Sequence, residues 1–423
     1  MEAPPILSLA LGSLMARRFT ALLTIISIAT AVMLFGAVEN IRQSARASFE
    51  RTLTDTDLIV GARSSAINLT LYTIFQIGDP TNNITWETYE DIQNRPDVAW
   101  TVPISLGDSH RGFRVIGTTS DYFDHYKYAD SRDLTLREGQ VFGDLFDIVL
   151  GAQVARNLDY YVGTSLTLSH GVGAASFTEH ADKPFTVSGI LAPTGTPVDR
   201  SVYVSLPAIE AIHAGWQAGT PTPLSRLATP ERLREAKLQP KEITALLLGA
   251  SSRVHTLRIQ RDLNTYRAEP LQAVIPGIAL TQLWSMMSVA ERALMIVSTF
   301  VIAVGLIGIL TSIMTSLNER RREMAILRSV GARPRHILIL LVSEAALFAF
   351  IGSVLGIAIL YGASWGVSPL LEERFNIGAL NLAPGLFDLY VVSGVTLLAA
   401  LLGVIPAIIA LKRSLSDGLT IRA

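Results

Sequence analysis

The 423-residue chain has a mean hydropathy of +0.38 and only 17% charged residues, which is apolar for a soluble protein. Its formal net charge is −1, and no basic run is interleaved with aromatic residues. The sequence therefore lacks the usual signature of a nucleic-acid-binding protein. The chain contains no cysteine, which excludes disulfides, thiol catalysis and cysteine-ligated zinc or iron–sulfur sites.

The N-terminal residues predict a helix at the membrane surface followed by a membrane span. Residues 1–18 place apolar residues at helical spacing and end in two arginines, which is typical of a cytoplasmic amphipathic helix in the interface. Residues 19–40 begin with an uncharged run, Phe19 to Val38, which at about 1.5 Å per residue can cross a hydrocarbon layer of ~30 Å. The run is too long for a signal peptide and lacks an Ala-x-Ala cleavage pattern. We therefore predict a transmembrane helix that extends outward as a stalk.

Residues 41–285 differ from their surroundings and predict a soluble α+β domain. Charged residues recur every few positions. Short alternating runs ended by glycine, such as residues 57–61, 113–117 and 185–191, are typical of strands, and helical segments lie between them. The proline-rich stretch 219–240 predicts an exposed insertion.

Three further apolar runs predict the remaining transmembrane helices: residues 286–317, which begin with a stalk, residues 337–361 and residues 388–411. Basic residues flank these spans in the segment 318–336 and the tail 412–423, whereas the short loop 362–387 is acidic. The positive-inside rule therefore predicts that both termini and the segment 318–336 lie in the cytoplasm. The expected fold is an integral membrane α-helical protein, with four transmembrane helices and a large α+β extracytoplasmic domain inserted between the first and second spans.

The segment 318–336, which reads NERRREMAILRSVGARPRH, predicts a short amphipathic helix at the membrane surface. It carries six arginines, and its charged and apolar residues recur at three- and four-residue intervals. Gly331 is a typical helix stop, and Pro334 suits the first position of the next helix, where a missing N–H has no cost. Taken alone, the segment is also compatible with a basic loop that only obeys the positive-inside rule.

Three motifs give the chain a resemblance to a known family. They read ERRREMAILRSVGARPRHI at residues 319–337, SEAALFAFIGSVLGIAI at residues 343–359 and GVIPAIIALKRSLSDGLTIR at residues 403–422. Their order resembles the MacB/FtsX-like permeases of ABC transporters, the type VII or mechanotransmission family, whose relatives include the lipoprotein-extracting LolC and LolE. The large domain is similar more loosely, through short stretches such as residues 149–151 and 187–191.

The resemblance implies that the segment 318–336 is a coupling helix that seats in a groove on a partner ATPase. The residues expected to make this contact are Glu319, Arg320, Arg322, Glu323, Met324, Ile326 and Leu327. The chain itself contains no Gly-x-x-x-x-Gly-Lys-Ser/Thr phosphate-binding loop, so we expect it not to be an enzyme by itself. We expect no cofactor on this chain, and ATP with Mg on the partner ATPase.

Five residues inside the apolar runs are further candidates. Gly305 and Gly308 lie three apart, and Gly352 and Gly356 lie four apart. Small residues at such spacing let helices approach closely in lipid, which predicts packing within a transmembrane dimer, although tolerance of glycine inside a helix explains each one equally well. Glu344 is the one charge well inside a span. We interpret it as structural, reaching the headgroups or an arginine, with a proton relay as the alternative.

The sequence offers no catalytic or metal motif. Six of the seven histidines lie in the large domain, at positions 110, 125, 170, 180, 213 and 255. None of them stands three or four residues from another, so we expect scattered surface or core histidines and assign no metal site, with metal recognition by these histidines as the alternative. No His-Glu-x-x-His pattern occurs.

The expected function is that of the permease subunit of a MacB-type ABC transporter in the bacterial inner membrane, with the large domain periplasmic. The expected partners are two copies of an ABC ATPase, a second permease copy in a homodimer or in a heterodimer with a paralogue, membrane lipids, and a periplasmic adaptor or substrate-binding protein. Motion of the periplasmic domain would move or expel a substrate outside the inner membrane. The alternatives are a lipoprotein-releasing permease, an FtsX-like regulator of a cell-wall hydrolase, and a sensor or structural membrane protein without an ATPase.

Overall fold

The computed structural model describes residues 18–171, 178–179, 182–217, 220–221, 228–319, 333–375 and 383–416. The chain divides into two compact units. The helical unit comprises the described parts of Met1–Ser44, Ser288–Leu371 and Ala379–Ala423, and the mixed unit comprises those of Ala45–Met287 and Glu372–Gly378.

The α-helices of the described residues, in chain order, are α1 (Arg18–Thr52), α2 (Ala66–Thr70), α3 (Trp86–Gln93), α4 (Asp121–His125), α5 (Ala152–Leu158), α6 (Leu206–His213), α7 (Pro230–Glu235), α8 (Arg253–Asn264), α9 (Pro276–Glu319), α10 (Pro334–Phe375) and α11 (Leu386–Ser416). A π-helical turn, Leu71–Phe75, follows α2, and a 3₁₀ turn, Pro197–Arg200, lies in the mixed unit.

The strands of the described residues are β1 (Leu58–Ala62), β2 (Ile84–Thr85), β3 (Val98–His110), β4 (Phe113–Thr118), β5 (Lys127–Tyr128), β6 (Arg132–Asp133), β7 (Leu136–Gly139), β8 (Asp147–Leu150), β9 (Ser165–Leu166), β10 (Ser169–His170), β11 (Thr178–Glu179), β12 (Phe185–Leu191), β13 (Ser201–Ser205), β14 (Trp216–Gln217), β15 (Thr220–Pro221), β16 (Glu242–Ile243), β17 (Ala245–Ala250) and β18 (Leu271–Val274). In chain order they all lie between α1 and α9.

The helical unit is built from four helices, α1, α9, α10 and α11, each long and apolar enough to cross a membrane. Each encloses one of the four predicted spans. They bury a shared apolar core that includes Ile28, Ile309, Phe348 and Ala399. Other apolar side chains point outward, and Phe300 is 67% exposed. Such an apolar exterior is what a membrane-embedded bundle requires, because lipid tails are as apolar as the side chains that face them.

All four helices, including α9 and α10, extend beyond the spans predicted from composition. Helix α9 begins at Pro276, where proline suits the first helical position. Helix α10 continues to Phe375 and so includes residues 362–375 of the predicted loop 362–387. The acidic and basic residues at 372–374 indicate where an apolar layer would end. They do not end a helix, because glutamate and arginine are good helix formers.

The mixed unit is organised around one large sheet with the strand order β18-β1-β17-β3-β4-β13-β8-β12-β7. Most neighbours are antiparallel, whereas β13 runs parallel to β4 and β12 runs parallel to β8. The long strand β3 shifts register against β4 between Leu106 and Ser109, and at Asp108 and Ser109 it also pairs with β10. Parallel and antiparallel pairs with intervening helices make this unit an α+β fold.

The central strands are buried on both faces, which explains their nearly continuous apolar runs. Successive side chains alternate between the faces. On β1, Leu58 and Val60 pack in a cluster with Ile259 of α8, whereas Ile59 packs in a second cluster with Tyr72. Helices therefore cover both faces of this part of the sheet.

The first and last strands of the mixed unit are neighbours in its large sheet. Its first strand, β1, pairs antiparallel with its last strand, β18, which forms the edge of the sheet. Ile59 lies opposite Val274, and Ala62 lies opposite Leu271. The start of β1 and the end of β18 are therefore at the same end of one strand pair.

Part of the predicted insertion 219–240 packs onto the mixed unit. Leu233 of α7 is 6% exposed and belongs to the apolar cluster of Phe146 and Phe185. Arg234 forms an ion pair with Asp144 at 2.9 Å. The expectation of an exposed insertion is therefore wrong for Leu233, whereas residues 231, 232, 234 and 235 are exposed. The proline that suggested a loop occupies the helix N-terminus, where it is well tolerated.

Asp199 is a buried carboxylate between β12 and β13, 6% exposed. It accepts hydrogen bonds from the backbone N–H groups of Thr194 (2.9 and 3.0 Å) and Gly195 (2.7 Å), and from the Thr194 hydroxyl (2.9 Å). We expect Asp199→Ala to lower the free energy of unfolding of the mixed unit by about 2 kcal/mol, because buried donors are left without an acceptor. Asp199→Asn keeps one acceptor oxygen and is expected to lose less.

Thermal and urea unfolding of the full chain in detergent measures this effect, with tryptophan fluorescence as the probe because four of the five tryptophans (positions 86, 100, 216, 284 and 365) lie in the mixed unit. Asp130→Ala is the matched control, since Asp130 is exposed. A loss at Asp199 no larger than that at Asp130 would contradict the role assigned to this carboxylate.

Candidate functional site

The predicted coupling segment lies between two membrane-capable helices. Arg320, Arg322, Glu323, Met324, Ile326 and Leu327 lie outside the described residues, and Glu319 is the last residue of α9. On the far side, α10 begins at Pro334, which confirms the prediction that this proline opens a helix. The backbone N–H of Arg333 donates to His336 Nδ1 at 3.1 Å at this helix start. The segment 318–336 thus includes the last residues of α9 and the first residues of α10.

Three of the four candidate glycines face the first helix of the same chain. A Cβ added at Gly352 would lie 2.8 Å from the Cβ of Ile28, and one at Gly356 would lie 2.5 Å from the carbonyl oxygen of Ala29. A Cβ at Gly305 would make ordinary contacts of 3.8 Å with the same stretch of α1. The prediction assigned these glycines to packing between two copies, whereas the partner seen here is α1 of the same chain. Gly308 has open space around it, and its packing against a second copy stays a prediction.

Among the described residues, two glutamates are buried in the helical unit. Glu344 is 4% exposed on α10, beside Ala345 of the apolar core. Glu39 on α1 is 5% exposed and accepts two hydrogen bonds from Arg42, at 2.7 and 2.8 Å. A buried carboxylate in a membrane-capable helix is costly and is kept where it has a partner or a role. The sequence analysis singled out Glu344 but not Glu39, because Glu39 directly follows the uncharged run Phe19 to Val38 and does not interrupt it.

A polar cluster in the mixed unit joins Asp108, His170 and His213. His170 Nδ1 lies 3.2 Å from Asp108 Oδ1, His213 Nε2 lies 3.5 Å from the same oxygen, and the two ring nitrogens are 3.2 Å apart. The Asp108 side chain is 3% exposed, and those of His170 and His213 are 43% and 30% exposed. The cluster is therefore anchored in the interior and open to solvent on its histidine side.

Three separate elements bring this cluster together. Asp108 on β3 and His170 on β10 are directly opposite each other in an antiparallel pair, so their side chains share one face. His213 is the last residue of α6, which approaches β4 closely because Gly117 has no side chain. A Cβ there would lie 2.5 Å from Ile209 of α6. The positions of all three side chains therefore follow from the sheet and its covering helix.

The electrostatics of the cluster favour an ionised Asp108. Burial by itself raises the pKa of Asp108, but the hydrogen bonds and charges of His170 and His213 outweigh it and bring the pKa to about 2. For His213, burial lowers the pKa, whereas the hydrogen bond and charge of Asp108 raise it, and the net direction is upward. The site thus holds a negative charge next to two imidazoles.

The sequence analysis missed this cluster because it looked for histidines at helical spacing. His170 and His213 are far apart in sequence, and strand pairing and helix packing bring them together. The signal that could have pointed to them is the alternation of β3, which places Asp108 and His110 on one face of a strand. Two of the six histidines expected to be scattered are therefore adjacent in space.

Comparisons with known proteins identify both parts of the chain. Residues 19–238, just over half of it, match the family described as MacB-like periplasmic core domain. Residues 295–417 match the family described as FtsX-like permease C-terminal. The first match covers most of the mixed unit, and the second covers α10, α11 and the part of α9 from residue 295 onward.

Curated relatives include two named macrolide export ATP-binding/permease protein MacB. The one from Chromobacterium violaceum is 32% identical over 30% of this chain and 19% of its own length. The one from Acinetobacter baylyi is 24% identical over 67% of this chain and 39% of its own length. The chain thus spans less than half the length of these relatives.

Among solved structures, the periplasmic region of MacB from Actinobacillus actinomycetemcomitans is similar at a TM-score of 0.33, with 11% identity over 54% of this chain and 92% of that one. Four membrane-capable helices and a periplasmic core domain together describe a membrane protein with a periplasmic-type domain. The two family matches follow each other along the sequence, and they show that the chain belongs to the MacB/FtsX-like family of ABC transporter permeases.

Proposed function

We propose that the chain is the permease subunit of a MacB-type ABC transporter. In this proposal, ATP hydrolysis on a separate ATPase subunit changes the conformation of the periplasmic domain, which moves or expels a substrate outside the inner membrane. The observation that carries the proposal is the order of parts: a periplasmic core domain, then an FtsX-like permease region, in a chain whose 423 residues contain no phosphate-binding loop.

The topology that this function needs agrees with the distribution of charge. Basic residues cluster in the segment 318–336 and the tail 412–423, so the positive-inside rule predicts a cytoplasmic location for both. All described strands lie in chain order between α1 and α9, which would put the mixed unit in the periplasm, between the first and second spans. An ATPase in the cytoplasm would then reach the chain at the segment 318–336.

Helix α9 is the element that would carry motion from the ATPase. It runs without a break from Pro276 to Glu319, and its last residue is the first of the predicted coupling residues. A displacement of the segment 318–336 would therefore act directly on the end of a continuous helix. In a bistable helix bundle, a small shift of this kind becomes a movement of a whole element.

The test is co-purification in detergent with the ABC ATPase encoded nearest to this chain. We expect the wild type to retain two ATPase copies with two permease copies, and Glu323→Lys to lower the retained ATPase by more than about tenfold, because reversing a docking charge leaves the opposing charge unpaired. Stimulation of ATP hydrolysis is measured in the same preparations.

Glu235→Lys is the matched control, because it makes the same charge change at an exposed position of α7 in the mixed unit. It is expected to leave ATPase binding unchanged. Failure of the wild type to bind any ATPase in any nucleotide state would overturn the transporter proposal. Equal binding by Glu323→Lys and wild type would overturn the coupling role of Glu323 alone.

A further inference from the structure

The spacing of the three polar atoms in the Asp108 cluster is that of a metal coordination shell. A tetrahedral ion with bonds of about 2.0–2.1 Å holds its ligand atoms about 3.3–3.4 Å apart. The three distances among Asp108 Oδ1, His170 Nδ1 and His213 Nε2 are 3.2, 3.2 and 3.5 Å. One ion can therefore contact all three atoms at once without rearrangement of the backbone.

The hydrogen-bond partner of the second ring nitrogen of His213 is also typical of a metal-ligating histidine. Its Nδ1 lies 2.9 Å from the backbone carbonyl oxygen of Ile209, an acceptor only, so Nδ1 carries the proton. In the neutral ring, Nε2 then presents its lone pair to Asp108 and His170. Ligating histidines commonly donate their other ring N–H to a backbone carbonyl, which fixes the tautomer and the ring orientation.

The donor set and its exposure favour a borderline divalent cation. Two imidazoles and one carboxylate are ligands that zinc accepts, and three protein ligands leave a position for water or another group. Asp108 supplies the negative charge from the interior, while the partly exposed imidazoles give an ion a route from solvent. Magnesium and calcium prefer oxygen-only shells, so they fit less well.

We propose that Asp108, His170 and His213 form a zinc-binding site in the mixed unit. The ion would tie β3, β10 and the end of α6 together. The site lies wholly within the mixed unit and does not depend on the ATPase, so its test is independent of the transporter proposal.

The experiment is a zinc titration of the full chain, purified in detergent through a tag without histidine and stripped with a chelator. Competition with a fluorescent zinc indicator gives stoichiometry and affinity, and Co²⁺ absorption in the visible range reports coordination geometry. The test variants are His170→Gln and His213→Gln, chosen because both side chains are partly exposed and their loss need not unfold the domain. His255→Gln is the matched control in the same unit, away from the cluster.

We expect one zinc ion per chain for the wild type and for His255→Gln, and an affinity lower by more than about tenfold for either test variant. Zinc should also raise the midpoint of thermal unfolding of the wild type but not of the test variants. Lack of stoichiometric zinc binding by the wild type would overturn the proposal, as would undiminished binding by both test variants. Tryptophan fluorescence of the stripped variants shows that they are folded before the comparison is made.

Discussion

Gly151→Ala is expected to destabilise the mixed unit by about 3 kcal/mol, because the position has no room for a side chain. Gly151 precedes α5 directly, and its N–H donates to the Ser201 carbonyl at 2.9 Å. A Cβ there would lie 2.4 Å from the carbonyl oxygen of Val198 and 2.5 Å from that of Asp199. Both contacts are with backbone, which cannot rotate away as a side chain could. Relief would require α5 or the turn at Pro197–Arg200 to move.

Unfolding of the full chain in detergent, followed by tryptophan fluorescence, measures the loss at Gly151. The control is Gly277→Ala at the start of α9, where nothing lies within 4 Å of the added Cβ. Alanine is a better helix former than glycine by about 1 kcal/mol, so the control is expected to be neutral or slightly stabilising. Equal unfolding midpoints for the two variants would contradict this prediction, because they would show that the turn at Pro197–Arg200 moves without loss of stability.

The second large effect is expected from Gly356→Leu, which should separate α1 from α10 in the helical unit. A Cβ at this position would lie 2.5 Å from the carbonyl oxygen of Ala29 and 3.1 Å from its Cα. Leucine adds three further carbon atoms at a contact between two backbones. Glycine and other small residues are what allow helices in lipid to come this close.

The measurement uses a pair of introduced cysteines, since the chain has none of its own. Ile28→Cys and Gly352→Cys place two Cβ atoms close together, and a disulfide needs them about 3.5–4.5 Å apart, which a small shift supplies. We expect efficient disulfide formation within one chain. Adding Gly356→Leu should lower the yield several-fold.

Gly362→Leu is the matched control on the same helix, because nothing lies within 4 Å of a Cβ at that position. It is expected to leave the cysteine pair unaffected. Disulfide-linked dimers in place of an internal bond would instead favour the original interpretation, in which these glycines pack two copies of the chain together.

The membrane-capable helices could be predicted from sequence because their signal is local. An uncharged run such as Phe19–Val38 carries its own evidence of length and hydropathy. The start of α10 was also predictable, since Pro334 acts through its own ring and its own missing N–H. Its end was not, because a helix continues past the last apolar residue until a cap or breaker ends it.

The partners of individual side chains could not be predicted, because they depend on distant parts of the chain. Gly352 and Gly356 indicated a close helix approach, yet spacing alone does not say which helix approaches. The Asp108 cluster is the clearest case. It depends on the register of β10 against β3 and on the packing of α6 over Gly117. The spacing of histidines along the sequence predicts neither.

The pairing of β1 with β18 determines how the mixed unit responds to force. Opposed pulls on the start of β1 and the end of β18 would act at the same end of one antiparallel pair, where Ile59 lies opposite Val274. Such a load peels hydrogen bonds one after another, which takes little force. A joint displacement of the two connections loads none of those bonds. The unit can therefore be carried as a rigid body only when its two connections move together, and opposed movement would strip β18 from the edge of the sheet.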